Sequence, residues 1–474
     1  MKEAFSGHRK QTYALVLLAL TLRILLALAF PHVGGDSPIY EAYARNLLQY
    51  GVYSHLEPQD QQPPAPTLTR APGYPLFLAA LFALTGHGNE TAVRIVQALL
   101  DTLTCVLIAI IVFSLSTGEL AGRRRLAQRA LLLAALCPFV ANYAASILAE
   151  VPTTLLLTAA TLFAVRGLQP SMPKRNWLFC GLSAGLATLF RVESGLWLVA
   201  IGLVLVLRRV SHHRWRAIVA DGFLVILGLA LALFPWTVRN LVTFKTFQPL
   251  APAYAQDPDE FVPRGYYNWC RTWLWRFGDV YNFIWTVQDS DIPLGALPGS
   301  ASDTPAERER ILLLLRGHNE SHSLDSAADS EFEGMARERL HRHPFRVFVI
   351  TPALRTLALW FTPRVEILPL EGRLLPIREA WENDPRDFLF SLLLFLVNLV
   401  YLAFALAGVW RIFRHHRSPD DPEVVGAFLL LSLIFLRTVF LSYFAFPEPR
   451  YVVEVFPEVI ALGGFAIAPR KLRF

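Results

Sequence analysis

An acidic residue follows directly on the first apolar run of the chain. The order is Gly34-Gly35-Asp36-Ser37-Pro38-Ile39-Tyr40, just after an apolar stretch that ends near Phe30. Later apolar runs are punctuated the same way. Glu150 stands in Ile147-Leu148-Ala149-Glu150-Val151-Pro152, Arg191 and Glu193 in the next such break, and Arg239 in Pro235-Trp236-Thr237-Val238-Arg239-Asn240. Glu448, Arg450 and Tyr451 mark a fourth, and Arg70 opens Arg70-Ala71-Pro72-Gly73-Tyr74-Pro75. A carboxylate can accept the proton of an attacking hydroxyl or amine. Guanidinium groups grip phosphate oxygens through paired charged hydrogen bonds and stabilise negative charge building on a departing phosphate. A second carboxylate can orient the acceptor or hold a divalent metal ion. Any one of these residues is explained by the polarity of turns. The set of two carboxylates with several arginines points instead to group transfer from a phosphate.

These residues must be held by membrane helices. The 474 residues are 54% hydrophobic and 17% charged, against roughly a quarter charged in soluble domains. The apolar residues fall in runs of about 17 to 25, long enough for a hydrocarbon core of about 30 Å. Spans are expected near 11–31, 91–116, 130–149, 152–168, 177–191, 194–208, 217–237, 388–410, 424–446 and 452–468. The first run lacks a small-residue cleavage site and more spans follow, so it is not read as a signal peptide. With about ten spans, the basic clusters fall on one side: Lys2, Arg9 and Lys10; Arg123, Arg124, Arg125 and Arg129; Lys174 and Arg175; Arg208, Arg209, Arg214 and Arg216; Arg411, Arg414 and Arg417; Arg470, Lys471 and Arg473. That side is cytoplasmic by the positive-inside rule. The punctuating acids and arginines then face outward.

Two long segments, 32–90 and 238–387, lie on the outer side. Within the first, 37–51 reads as a surface helix. Ser37 suits its cap, Pro38 its first position and Gly51 its end. Ile39, Tyr43, Leu47 and Tyr50 recur on one face. The stretches 72–86 and 345–361 are apolar but short, and are expected along the outer interface or re-entrant. Three units follow: 1–240, a membrane module that includes the outer loop 32–90; 241–387, an outer region with interfacial helices; and 388–474, the last spans. The expected fold class is an all-α polytopic membrane protein.

Several readings are excluded or kept open. The formal net charge of +6 does not signal nucleic acid, because the basic residues sit in short loops between spans. Cys105, Cys137, Cys180 and Cys270 show no disulfide framework. No Gly-rich phosphate loop follows a strand. Asp289-Ser290-Asp291 matches a short metal-holding acid pair but reads more simply as a solvated turn. Tyr266, Tyr267, Trp269, Trp273, Trp275, Tyr281 and Trp285 read as an interfacial belt or as a platform for a sugar or lipid. Asp101 and Arg437 lie at matched depth and are expected to pair. Asn89-Glu90-Thr91 and Asn319-Glu320-Ser321 match a glycosylation pattern that chance also produces.

Gly35-Asp36 with Tyr40, Ala44, Leu47-Leu48 and Gly51, followed by Arg70-Ala71-Pro72-Gly73-Tyr74-Pro75, resembles the first outer loop of GT-C class membrane glycosyltransferases. These include the protein O-mannosyltransferases and the aminoarabinose transferases of lipid A. Leu148-Ala149-Glu150, Gly185-Leu186-Ala187-Thr188-Leu189-Phe190-Arg191, Pro235-Trp236-Thr237-Val238-Arg239-Asn240 and Arg450-Tyr451 are similar to further landmarks of that class. The resemblance implies transfer of a sugar from a polyprenyl-phosphate donor to a lipid, glycan or protein acceptor. It implies a catalytic Asp36, a second acid at Glu150, and donor phosphate contacted by Arg70. Tyr40, Tyr74, Arg191, Glu193, Arg239, Arg450 and Tyr451 are the expected substrate-binding residues. The protein mannosyltransferases carry an acidic pair where this chain has Asp36-Ser37, which weighs against a protein hydroxyl as acceptor.

Compartment points the same way. Nucleotide sugars are cytoplasmic, so an outward site needs a donor that arrives through the membrane. The expected location is a bacterial inner membrane, with the site facing the periplasm or exterior and a divalent metal ion as a possible cofactor. The partners are then the lipid-linked donor, the acceptor and the bilayer, and not nucleic acid. The main rival is a transporter or flippase for a lipid-linked sugar, which would place charges near mid-bilayer and show inverted repeats. Others are a ligase for lipid-linked glycans and a non-catalytic assembly partner.

Overall fold

In hydrocarbon a backbone must satisfy its own hydrogen bonds, and long apolar runs do so as helices. The computed structural model describes residues 9–59, 62–210, 215–252, 256, 260–415, 418–444 and 447–466, and among them the chain is helical with no strand. Lys2, Arg214, Arg417, Arg470, Lys471 and Arg473 of the charge pattern lie outside the described residues. So do the side chains of Arg208, Arg209 and Asp289. In chain order the main helices are α1 (Arg9–Ala29), α2 (Ser37–Tyr50), α3 (Gly73–Thr85), α4 (Glu90–Leu115), α5 (Leu120–Leu136), α6 (Glu150–Gly167), α7 (Arg175–Phe190) and α8 (Leu196–Val210). They continue as α9 (Trp215–Phe244), α10 (Arg264–Trp273), α11 (Pro305–Ser321), α12 (Ser326–Arg342), α13 (Thr351–Trp360), α14 (Pro385–His415), α15 (Pro422–Tyr443) and α16 (Phe456–Gly464).

Among the described residues every segment read as a span is largely helical, with 130–149 broken at Cys137 and ended at Ser146. By length and apolarity α1, α4, α9, α14 and α15 each suffice to cross a bilayer, and α5 with its continuation Pro138–Ala145, bent by 53°, makes a sixth. The shorter α6, α7, α8 and α16 are packed within the bundle, and α16 is buried along its whole length. Small residues set the closest approach. A Cβ on Gly181 of α7 would stand 1.9 Å from the Val225 carbonyl of α9, and one on Gly228 of α9 2.2 Å from the Leu178 carbonyl. The two helices therefore meet backbone to backbone, as small residues allow in membrane bundles.

The bend after α5 has a chemical cause. Pro138 has no N–H, so the Ala134 carbonyl loses its regular helical donor. Arg23 of α1 supplies the missing bonds, donating from Nη2 to the Ala134 carbonyl and from Nη1 to the Ala135 carbonyl, each at 3.1 Å. Its charge is balanced by Asp101 of α4, Nε to Oδ2 at 2.5 Å, with both side chains out of contact with solvent. The matched-depth expectation is thus corrected. Asp101 pairs with Arg23, while Arg437 pairs with Glu454 at 2.9 Å. Depth along a helix carries no information about which face the residue takes.

The outer segments also differ from expectation in detail. Helix α2 begins one residue early, with Asp36 in the cap position and no side-chain capping bond. The Ser37 hydroxyl instead donates to the Ile147 carbonyl at 2.9 Å, tying the loop to the segment before α6. Gly51 ends α2 at φ 69°, its N–H bonded to the Leu47 carbonyl at 3.0 Å. The stretch 72–86 forms α3. The stretch 345–361 forms a π-helical turn, Arg346–Ile350, and then α13. Phe345, Phe348 and Phe361 there expose half or more of their surface. The aromatic segment is corrected in part. Tyr266, Trp269 and Trp273 are neither belt nor platform, but the core of a separate cluster with Phe283 and Phe332. Their spacing puts them on one face of α10, which α12 covers. Tyr281 and Trp285 remain exposed.

Candidate active site

Four breaks in the bundle converge at one place. The loop after α1 delivers Asp36, the first turn of α6 delivers Glu150, the turn after α7 delivers Arg191 and Glu193, and the turn after α15 delivers Glu448, Arg450, Tyr451 and Glu454. The loop before α3 adds Arg70. Asp36 Oδ1 meets Arg70 Nη2 at 3.2 Å, and its Oδ2 lies 4.0 Å from Arg450 Nη2. The Asp36 side chain is 32% exposed. It is the most exposed acid of the group, ahead of Glu193 at 24%, while Glu150, Glu448 and Glu454 are buried.

Behind Asp36 is a dense ion-pair network. Arg191 touches three carboxylates: Glu150 at 2.8 Å, Glu193 at 2.9 Å and Glu454 at 2.9 Å. Arg437 holds the other oxygen of Glu454 at 2.9 Å and lies 3.6 Å from Glu193. Arg450 pairs with Glu448 at 2.6 Å and stands 4.0 Å from Glu150. Both Arg191 and Arg450 lie over the ring of Tyr451, at 4.7 and 5.1 Å. Burial by itself would raise the Glu193 carboxyl, but Arg191 and Arg437 overcome it and hold it at about 2. Glu448 goes the other way: burial outweighs Arg450, and Glu150 and Glu366 add repulsion, pushing it up to about 7. The network thus contains one firmly ionised acid and one that titrates near neutrality.

The remaining expected residues divide. Tyr40 is half-buried and packs edge-on against Tyr74, with ring centroids 5.1 Å apart. Tyr74 itself is fully buried and donates to Gln97 Oε1 at 2.8 Å, so it lies beneath the site. Arg239 is outside the acid cluster. It donates to the Tyr53 carbonyl at 3.3 Å and the Thr67 carbonyl at 3.4 Å, among the rings of Tyr53, Trp236 and Phe244. The Tyr53 hydroxyl in turn donates to the Arg70 carbonyl at 3.2 Å. Arg239 therefore anchors the loop that presents Arg70. Among the described residues no three His, Cys, Asp or Glu side chains come together as metal ligands.

Sequence reading missed Glu454 and Glu366, and gave Arg437 the wrong partner. An acid within the apolar run Val452-Val453-Glu454-Val455-Phe456 was a usable signal, since a charge at membrane depth demands a partner.

Residues 69–238 match the family described as dolichyl-phosphate-mannose-protein mannosyltransferase. That stretch holds Arg70, Tyr74, Glu150, Arg191 and Glu193, and stops short of Asp36 and Arg450. Among solved structures the chain is similar to the oligosaccharyltransferase AglB of Archaeoglobus fulgidus in complex with an inhibitory peptide and a dolichol-phosphate. The identity is 11% and the TM-score 0.50, covering 98% of this chain and 50% of that one. The Archaeoglobus fulgidus oligosaccharyltransferase tethered with an acceptor peptide gives 11% identity and a TM-score of 0.52, covering 98% and 49%. ArnT of Cupriavidus metallidurans bound to undecaprenyl phosphate gives 14% identity and a TM-score of 0.40, covering 96% and 78%. The chain spans about half the length of the archaeal structures it matches. No curated protein matches it significantly. By fold, and by sequence pattern over residues 69–238, this chain resembles the GT-C class membrane glycosyltransferases, as its outer-loop residues imply.

Proposed function

We propose that this protein is a glycosyltransferase that moves a sugar from a polyprenyl-phosphate carrier to a lipid, glycan or protein acceptor at the outer face of a membrane. The observation that carries the reading is the meeting of Asp36 and Arg70, from the two ends of one loop, with Arg450 from near the end of the chain, beside the Glu150–Arg191 pair. In this reading Asp36 takes the acceptor's proton as its oxygen attacks the sugar carbon. The bond from that carbon to the phosphate oxygen breaks, and the phosphate leaves on its lipid. Arg70 and Arg450, which hold Asp36 at rest, are the guanidinium groups that neutralise the departing phosphate. Glu150 keeps Arg191 and Arg450 extended toward it, and Arg239 sets the loop behind Arg70.

The membrane module 1–240, with its outer loop 32–90, supplies the base. The outer region 241–387 borders the site, and 388–474 supplies Arg437, Glu448 and Arg450. The positive-inside pattern supports an outward, periplasmic orientation in a bacterial inner membrane. The transporter or flippase reading draws no support from the buried Arg23–Asp101 pair, because Arg23 is spent on the Ala134 and Ala135 carbonyls and on Asp101.

The test is transfer of radiolabelled sugar from a polyprenyl-phosphate donor by the purified protein. Asp36→Asn is expected to lower transfer by about 10²- to 10⁴-fold while donor binding persists. Full activity in that variant excludes Asp36 as base. Lipid movement across the bilayer without any transfer would favour the transporter.

A further inference from the structure

We infer that the sugar of the donor sits in a polar pocket beside Arg450, between Glu448, Glu366, Glu150 and Tyr143 below and the ring of Tyr281 above. This rests on the transferase reading and adds to it the place and chemistry of the sugar.

The first observation is a set of buried polar atoms without hydrogen-bond partners. Glu448 gives one oxygen to Arg450, but its Oε2 has no partner. The same holds for Glu150 Oε2, Glu366 Oε1 and the Tyr143 hydroxyl. Glu448, Glu150 and Tyr143 are 4%, 2% and 4% exposed. Leaving such groups unpaired is costly, and natural proteins rarely keep several together without something to bond them. They come from three chain segments, yet Arg450 stands 2.6 Å from Glu448 and 4.0 Å from Glu150, and Glu366, Glu150, Arg450 and Glu448 all lie within electrostatic reach of the Tyr143 hydroxyl. Burial also pushes the Glu366 carboxyl up, as it does that of Glu448.

The Glu150 oxygen accepts, while carboxyls raised by burial and the Tyr143 hydroxyl both accept and donate, so the missing component carries several groups that themselves donate and accept, as hydroxyls do. A second phosphate would be repelled. Among the described residues the acids do not gather closely enough to share a metal ion. A ring with several hydroxyl donors at different positions fits, because each oxygen can take one. The second observation is Tyr281. It is 48% exposed, lies in the π-helical turn Tyr281–Trp285, and is braced edge-on by Phe277 at 5.0 Å. Such turns are frequent at functional sites. Glu448, Arg450 and Glu366 are all within electrostatic reach of it. An open aromatic face beside a row of acceptors suits a sugar, whose C–H face packs on the ring while its hydroxyls point to the carboxylates.

The experiment measures equilibrium binding of undecaprenyl phosphate and of its hexosyl and pentosyl esters to the full chain in nanodiscs. The wild type is expected to bind at least one ester about 10-fold tighter than the bare lipid. Glu448→Gln, Tyr143→Phe and the exposed-site Tyr281→Ala are each expected to weaken that ester by about 5- to 10-fold, the loss of one bond or contact, and to leave the bare lipid within about twofold. If no ester binds tighter than the bare lipid, or if the variants weaken both lipids alike or neither, the pocket is overturned. If the wild type binds no lipid at all, the transferase reading fails, and the pocket with it.

Discussion

Replacing Arg191 by Gln removes the residue on which three carboxylates converge. The structure says which acid suffers. Glu454 keeps Arg437 at 2.9 Å. Glu193 is 24% exposed and keeps Arg437 at 3.6 Å. Glu150 is 2% exposed and retains Arg450 at 4.0 Å. One buried carboxylate therefore loses its close countercharge, which costs about 3–5 kcal/mol. Glu150→Gln alone leaves Arg191 with two other acids and should cost about 1–2 kcal/mol. The double variant Arg191→Gln/Glu150→Gln no longer buries the unpaired charge, so it should be more stable than Arg191→Gln alone by about 2 kcal/mol. Reversible unfolding in mixed micelles titrated with SDS reads all three. A cost below about 1 kcal/mol for Arg191→Gln, or a double variant whose loss equals the sum of the single losses, refutes the convergence on Arg191 as the source of stability.

Three more expectations follow from single contacts. A double-variant cycle between Asp101→Asn and Arg23→Gln should show a coupling of about 2–3 kcal/mol, while Asp101→Asn with Arg437→Gln should add within about 0.5 kcal/mol; the reverse pattern would restore the matched-depth pairing. Glu448 has a raised carboxyl, so the folded protein holds its proton more tightly than the unfolded chain. Its contribution is fully present below pH 4.5 and is lost as pH rises toward about 7. Glu448→Gln should therefore flatten the fall in thermal stability between those values, and an unchanged slope would assign it to another group. Gly181→Ala should lower the melting temperature and yield of folded protein, because a methyl group would meet the Val225 carbonyl of the facing helix; a variant that melts with the wild type would mean that α7 and α9 slide apart freely.

The sequence by itself marked the long apolar helices and the polar breaks between them, because bilayer thickness and the cost of stray charge act on local runs of residues. It also marked Asp36, Arg70, Glu150, Arg191 and Arg450, since polar residues at breaks between apolar runs stand out without knowledge of packing. Partners are a different matter. Asp101 had an acid's need for a cation, but Arg23 took that place, held there by the Ala134 carbonyl that Pro138 had stripped of its donor and by the neighbouring Ala135 carbonyl. Arg239 hydrogen-bonds the Tyr53 and Thr67 carbonyls, a placement no local motif shows. Tyr266, Trp269 and Trp273 had the composition of an interface and became a core once α12 covered α10. Which face a helix buries, and which distant segment meets it there, depends on the sum of many weak contacts over the whole bundle. No window of sequence contains that sum, so the pairing of charges was decided by the tertiary structure.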